Sequence, residues 1–232
     1  MSEDTLPLPR LALVALFVTA LITSQVTAAK LVGVELPFEL PLAGGLLLVP
    51  AAAFAYAVTF FASDCYAELY GRRAATQLVN VAFLMNFVLL ALVWLAIRAP
   101  VAPPSAVGQE PFSQVLGAST GIVAGSLLAY LVSQNWDVVV FHRIREYTGG
   151  DRLWLRNLGS TLTSQLIDTV IFITVAFVVF QGLPPADAVG LIAGQYLVKL
   201  AVAVLDTPFV YAVVGAVRSR ESGPAPAAGS GD

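Results

Sequence analysis

Residues 158–180 read LGSTLTSQLIDTVIFITVAFVVF, a run in which Asp168 is the one charged side chain. A helix needs about 20 apolar residues to cross a hydrocarbon core of roughly 30 Å, whereas a barrel strand needs about ten with polar and apolar positions alternating. This run is too long for such a strand and does not alternate, so a membrane-spanning helix is predicted. The rest of the chain points to the same solvent: of 232 residues, 58% are hydrophobic and 12% charged, and the mean hydropathy is +0.82. That leaves too little polar surface to cover a water-soluble globule.

Working outward, further apolar segments lie at residues 11–29, 43–62, 74–97, 113–132 and 188–217, each bounded by charges, prolines or glycines. The expected architecture is an all-α integral membrane protein, a bundle of six transmembrane helices forming one domain over residues 1–217. A tail over 218–232, rich in Gly, Pro, Ala and Ser towards its end, is expected to be disordered in the cytoplasm. Basic residues set the orientation: Arg10, Arg72, Arg73, Arg143, Arg145, Arg152, Arg156, Arg218 and Arg220 fall on one side, against Lys30 and Arg98 on the other. The positive-inside rule then puts both termini in the cytoplasm and the chain, as a multi-pass protein, in the plasma (inner) membrane. Arg10, the apolar run after it and Thr27-Ala28-Ala29 also have the makings of a cleaved signal peptide, whose removal would leave five spans. Polar Thr23, Ser24 and Gln25 argue instead for a retained, inward-facing helix.

Several function classes are disfavoured. A net charge of −3 from scattered acids gives no nucleic-acid footprint. With Cys65 and His142 the lone members of their kinds, neither a metal site nor a disulfide is expected, and no cofactor is implied. The sequence contains no phosphate-cradling G-x-x-x-x-G-K-[ST], no H-E-x-x-H and no G-x-S-x-G, so it reads as neither an ATPase nor an enzyme.

The information about function sits in polar residues stranded within the spans, because an ionisable group in hydrocarbon costs about 2.5 to 3.5 kcal/mol unless it finds a partner or a cavity. Thr161, Gln165, Asp168 and Phe172 share one helical stripe, and Gln195, Lys199, Val202 and Asp206 share another. Opposite charges thereby reach comparable depth. They either form an ion pair that only locks two helices together, or line a cavity for a polar guest. SQNWDVVVF at 133–141 also returns thirty-one positions later as SQLIDTVIF at 164–172. The copies run in opposite directions through the membrane and are expected at different depths, with Asp137 at the cytoplasmic end of its segment, so they are either a duplicated unit or a coincidence.

At the end of the second segment, Asp64-Cys65-Tyr66-Ala67-Glu68-Leu69-Tyr70-Gly71 is expected to form an anchored cytoplasmic turn. It resembles the "D-x-x-x-E-x-Y-G" signature of the queuosine precursor transporter family, also called the vitamin uptake transporter family. Asp137 to Arg145 resembles that family's "D-x-x-x-F-x-x-x-R" segment. Trp154-Leu155-Arg156-Asn157-Leu158-Gly159-Ser160-Thr161, followed by Ser164, Gln165, Asp168 and Phe172, resembles its most recognisable block, and Tyr196-Leu197-Val198-Lys199 with Asp206-Thr207-Pro208 is similar to its last helix. Family members often carry paired tryptophans where this chain has Leu153-Trp154. The resemblance implies inward transport of 7-deazaguanine bases (preQ0/preQ1-like), precursors of queuosine or archaeosine. On that footing Asp168, Gln165, Lys199, Gln195, Asn157, Trp154 and Phe172 are expected to bind a small planar base. Asp64, Glu68, Asp137, Gln134, Arg143 and Asp206 are expected to gate or brace the path. The alternative reading is a substrate-binding membrane subunit that needs a separate ATPase partner, and the sequence leaves a homodimer open.

Overall fold

The computed structural model describes residues 7–40, 44–149 and 153–221, with backbone alone for 40, 153–157, 220 and 221. Helix α1, Leu8–Thr27, carries Pro9 in its first turn, where a missing N–H interrupts no helical hydrogen bond. It buries Leu13, Phe17, Leu21, Ser24 and Gln25 along one stripe, while Thr23 faces outward. Ser24 and Gln25 are thus inward-facing, as the sequence suggests.

The next segment departs from expectation. Residues 43–62 read as one helical span, yet Gly44–Pro50 is a strand, β2, paired antiparallel with β1, Leu31–Leu40, so that Leu31 faces Pro50 and Glu35 faces Leu46. Helix α2 then begins at Ala52 and runs to Tyr70. The reason is local: Gly44 and Gly45 weaken a helix start, Pro50 interrupts the run, and a short apolar stretch such as Leu46-Leu47-Leu48-Val49 does not distinguish helix from strand by its period. The expected turn at Asp64 is also helical. The chain breaks only at Gly71, whose φ of 87° is strained for any residue with a Cβ. Helix α3, Arg72–Arg98, follows at once.

Helix α4, Gln109–Gly117, leads into α5, Ser119–Tyr147, which continues well past the predicted end at residue 132. Helix α6, Leu153–Ile173, passes into a π-helical turn over Thr174–Val179. Helices α7, Pro185–Leu205, and α8, Thr207–Glu221, are divided by a bend at Asp206, where Pro208 withholds a helical N–H. Residues 218–221, assigned above to the tail, belong to α8, and 222–232 lie outside the described residues. Among the described residues, five helical stretches are long and apolar enough to cross a membrane: Leu8–Thr27, Arg72–Arg98, Gln109–Tyr147, Leu158–Val179 and Pro185–Ser219. The hydropathy of α2 is lowered by Asp64 and Glu68 in its last two turns.

Two apolar clusters organise the bundle. One joins α1, α2, α3 and α8 through Phe17, Leu21, Cys65, Tyr66, Leu78 and Val214. The other joins α2, α5, α6 and α7 through Ala52, Ile122, Phe172, Ile173, Phe177 and Leu191. Small residues allow the close approaches this requires. A Cβ on Gly125 of α5 would lie 3.2 Å from the Phe172 carbonyl oxygen, and one on Gly194 of α7 only 2.2 Å from that of Leu48 in β2. The hairpin is therefore seated directly on α7. Leu84, Phe87, Leu92 and Leu95 of α3 point outward, as suits a lipid-facing surface.

Candidate substrate-binding site

Beside the second cluster, among α1, α2, α5, α6 and α7, lies a cavity of about 50 Å³, lined by Ser24, Tyr56, Ser126, Asp168, Gln195 and Lys199 together with apolar side chains such as Ala52, Ile122 and Phe172. Lys199 Nζ donates to Asp168 Oδ2 at 2.5 Å, joining α7 to α6, and the two side chains are 8% and 17% exposed. Ser133 Oγ on α5 donates to the other carboxylate oxygen, Oδ1, at 3.4 Å. The Lys199 ammonium also lies 5.7 Å from the centre of the Tyr56 ring on α2, within range of a cation–π contact. Four helices thus converge on one ion pair. The pair forms part of a cavity wall instead of a sealed seam.

The remaining expected site residues divide. Gln195 lines the cavity, and its Oε1 is buried without a hydrogen-bond partner. Phe172 lines it too, meeting Phe177 edge-to-face at 5.8 Å. Gln165 Oε1 is likewise buried and unpartnered, yet the residue is not among those lining the cavity. Tyr196 donates to the Leu162 carbonyl at 3.2 Å and so ties α7 to α6. Trp154 and Asn157 begin α6, and their side chains lie outside the described residues. Sequence reasoning missed Tyr56 and Ser126. Tyr56 carries the one polar side chain in Ala52-Ala53-Phe54-Ala55-Tyr56-Ala57, which was the available signal.

The repeated motif has a geometric basis. Ser133 of the first copy donates to Asp168 of the second, and Ser164 of the second donates to Asp137 of the first at 3.3 Å. Antiparallel α5 and α6 therefore cross with each serine level with the other copy's aspartate, which leaves the two aspartates about one helical turn apart in depth. Asp137 lies within α5 and is half-buried, not at a helix end, because α5 continues to Tyr147. Gln134 and Arg143 on the same helix are exposed.

Two outer cavities flank this centre. Towards the hairpin, a vestibule of about 810 Å³ is lined by Thr27, Lys30, Ala51, Gln114, Gly121 and Phe180. Ala28, Ala52 and Ile122, all buried, line the central cavity and are the chain neighbours of the vestibule residues Thr27, Ala51 and Gly121. At the Arg72 end, about 360 Å³ is lined by Asp64, Glu68, Arg72, Asp206 and Tyr211. There Glu68 pairs with Arg218 at 3.0 Å, both side chains more than half exposed, and Asp206 Oδ2 is buried without a partner.

A protein family described as "Putative vitamin uptake transporter" matches residues 50–213, which hold every charged residue lining these three cavities except Lys30. The chain belongs to that family. It is similar to a Bacillus subtilis (strain 168) protein named "Probable queuosine precursor transporter", being 38% identical over 159 residues, or 68% of each chain. No solved structure matches the chain. With five helical stretches suited to crossing a bilayer, this member of a transporter family is a multi-pass membrane protein. The central ion pair, made by α6 and α7, falls inside the matched region, as do Tyr56 and Gln195.

Proposed function

We propose that this protein imports 7-deazaguanine-type bases (preQ0/preQ1-like), precursors of queuosine or archaeosine, across the plasma (inner) membrane. In this reading α2 is the sixth span, both termini are cytoplasmic, and residues 1–217 act as one transport domain. The observation that carries it is the cavity that Asp168, Lys199 and Gln195 line together with the aromatic residues Tyr56 and Phe172. A deazaguanine presents N1–H and an exocyclic amine beside a carbonyl oxygen. A carboxylate accepts both donors in a bidentate contact, and an amide or ammonium meets the oxygen. An aromatic face against the flat ring adds about 1 to 3 kcal/mol in base-binding proteins. The resemblance of the relative, itself named a probable queuosine precursor transporter, supports the same cargo.

The cavity of about 50 Å³ is small beside the roughly 300 to 1,000 Å³ of ordinary ligand sites. Seating a bicyclic base therefore requires α2 and α7 to part and Asp168 to exchange some of its contacts for the ligand's donors. The test is uptake of labelled 7-deazaguanines into cells lacking and regaining this chain. Uptake that depends on the chain and is lost in Asp168→Asn supports the reading, and normal uptake by Asp168→Asn refutes the assigned site.

A further inference from the structure

The charges of the central cavity bear on which base it takes. Among the described residues, Asp168 is the one acid lining the cavity and Lys199 the one base. Both carboxylate oxygens are engaged, Oδ2 by Lys199 and Oδ1 by Ser133. The ammonium is held as well, by the carboxylate and by the Tyr56 face. The other polar groups here, Ser24, Ser126 and Gln195, are uncharged. The cavity thus already contains its own cation, compensated within the protein and largely shielded from water.

We propose that this site selects 7-deazaguanines whose 7-substituent is uncharged over those whose 7-substituent is cationic. The inference rests on the transport reading above. A base with a nitrile at position 7 leaves the charge of the cavity at zero, and its nitrogen accepts a hydrogen bond from Lys199 or the Gln195 amide. A base with an aminomethyl group, protonated near neutral pH, brings a second ammonium into a low-dielectric space where the only carboxylate is taken. It must either leave that charge unpaired or displace Lys199 and strand the lysine instead.

The experiment is uptake of labelled 7-cyano-7-deazaguanine into cells carrying the intact chain, in competition with unlabelled 7-cyano and 7-aminomethyl bases. The aminomethyl base is expected to compete at least roughly tenfold less well. In Lys199→Met, where Asp168 is left without its cation, the order is expected to reverse. Equal or better competition by the aminomethyl base in the wild type overturns the selection while leaving transport of deazaguanines intact. Uptake of neither base overturns the functional reading and this inference with it. If Lys199→Met does not reach the membrane, the wild-type competition alone decides.

Discussion

Ser133 on α5 donates its hydroxyl to Asp168 on α6 at 3.4 Å, and the same contact recurs with roles exchanged between Ser164 and Asp137 at 3.3 Å. The two copies of Ser-Gln-x-x-Asp are thus related by the crossing of their helices. They differ in outcome: Asp168 also receives Lys199 and lines the central cavity, whereas Asp137 is not among the described residues that line it. Removing each serine separates the two roles. A hydrogen bond to a charged group contributes about 1.5 to 3 kcal/mol, and this one is at the long end of the range. Ser133→Ala is expected to change the KM for uptake several-fold. Ser164→Ala is expected to leave KM in place and lower thermal stability, as a melting curve in detergent would reveal.

Asp168→Asn leaves a buried ammonium without its counter-ion, and breaking a buried pair costs about 3 to 5 kcal/mol. Uptake is expected to vanish while membrane insertion persists, with a lowered Tm. The double variant Asp168→Asn with Lys199→Met removes both charges and is expected to regain most of the lost Tm without regaining uptake. Recovery of transport in the double variant would count against a ligand role for the carboxylate.

Gly194→Ala places a methyl group 2.2 Å from the backbone oxygen of Leu48, which cannot swing away as a side chain could. The hairpin must shift off α7, at a cost of about 1 to 3 kcal/mol by analogy with overpacked cores. Gly45→Ala in the same hairpin meets nothing within 4 Å and serves as the control. Thermal melts of the two variants should differ clearly, and limited proteolysis should cut the hairpin of Gly194→Ala first.

Glu68 and Arg218 are well exposed on both sides of their ion pair. Such pairs contribute about 0 to 1 kcal/mol. Glu68→Gln is therefore expected to shift Tm little. A large loss of uptake with an unchanged Tm would point to a part in the transport cycle for the cavity shared by Asp64 and Asp206, beyond the bracing of α8 against α2.

The positions of the buried polar groups show how far reading by pattern reaches. Helical spacing put Asp168 and Lys199 on inward faces, and both are there. The same spacing put Gln165 on the Asp168 stripe, yet it does not line the cavity, because residues three apart on a helix are separated by about 60° of rotation and a narrow cavity sees only part of a face. The hairpin escaped notice because β2 is apolar enough to pass for the start of a span. The Asp64 stretch passed for a turn because its acids resemble a membrane boundary, although their spacing of four is also helical.

Hydropathy and charge by themselves determined that the chain lives in a bilayer, where its long apolar segments run and which residues are too polar for lipid, since those follow from the cost of each side chain in hydrocarbon. Only the tertiary structure decided who meets whom: that Asp168 receives Lys199 and Ser133, that Tyr56 faces the same ammonium, and that Gly194 admits the hairpin. A helical pattern fixes the face on which a side chain stands but not which helix lies opposite, and these partners come from segments far apart along the chain.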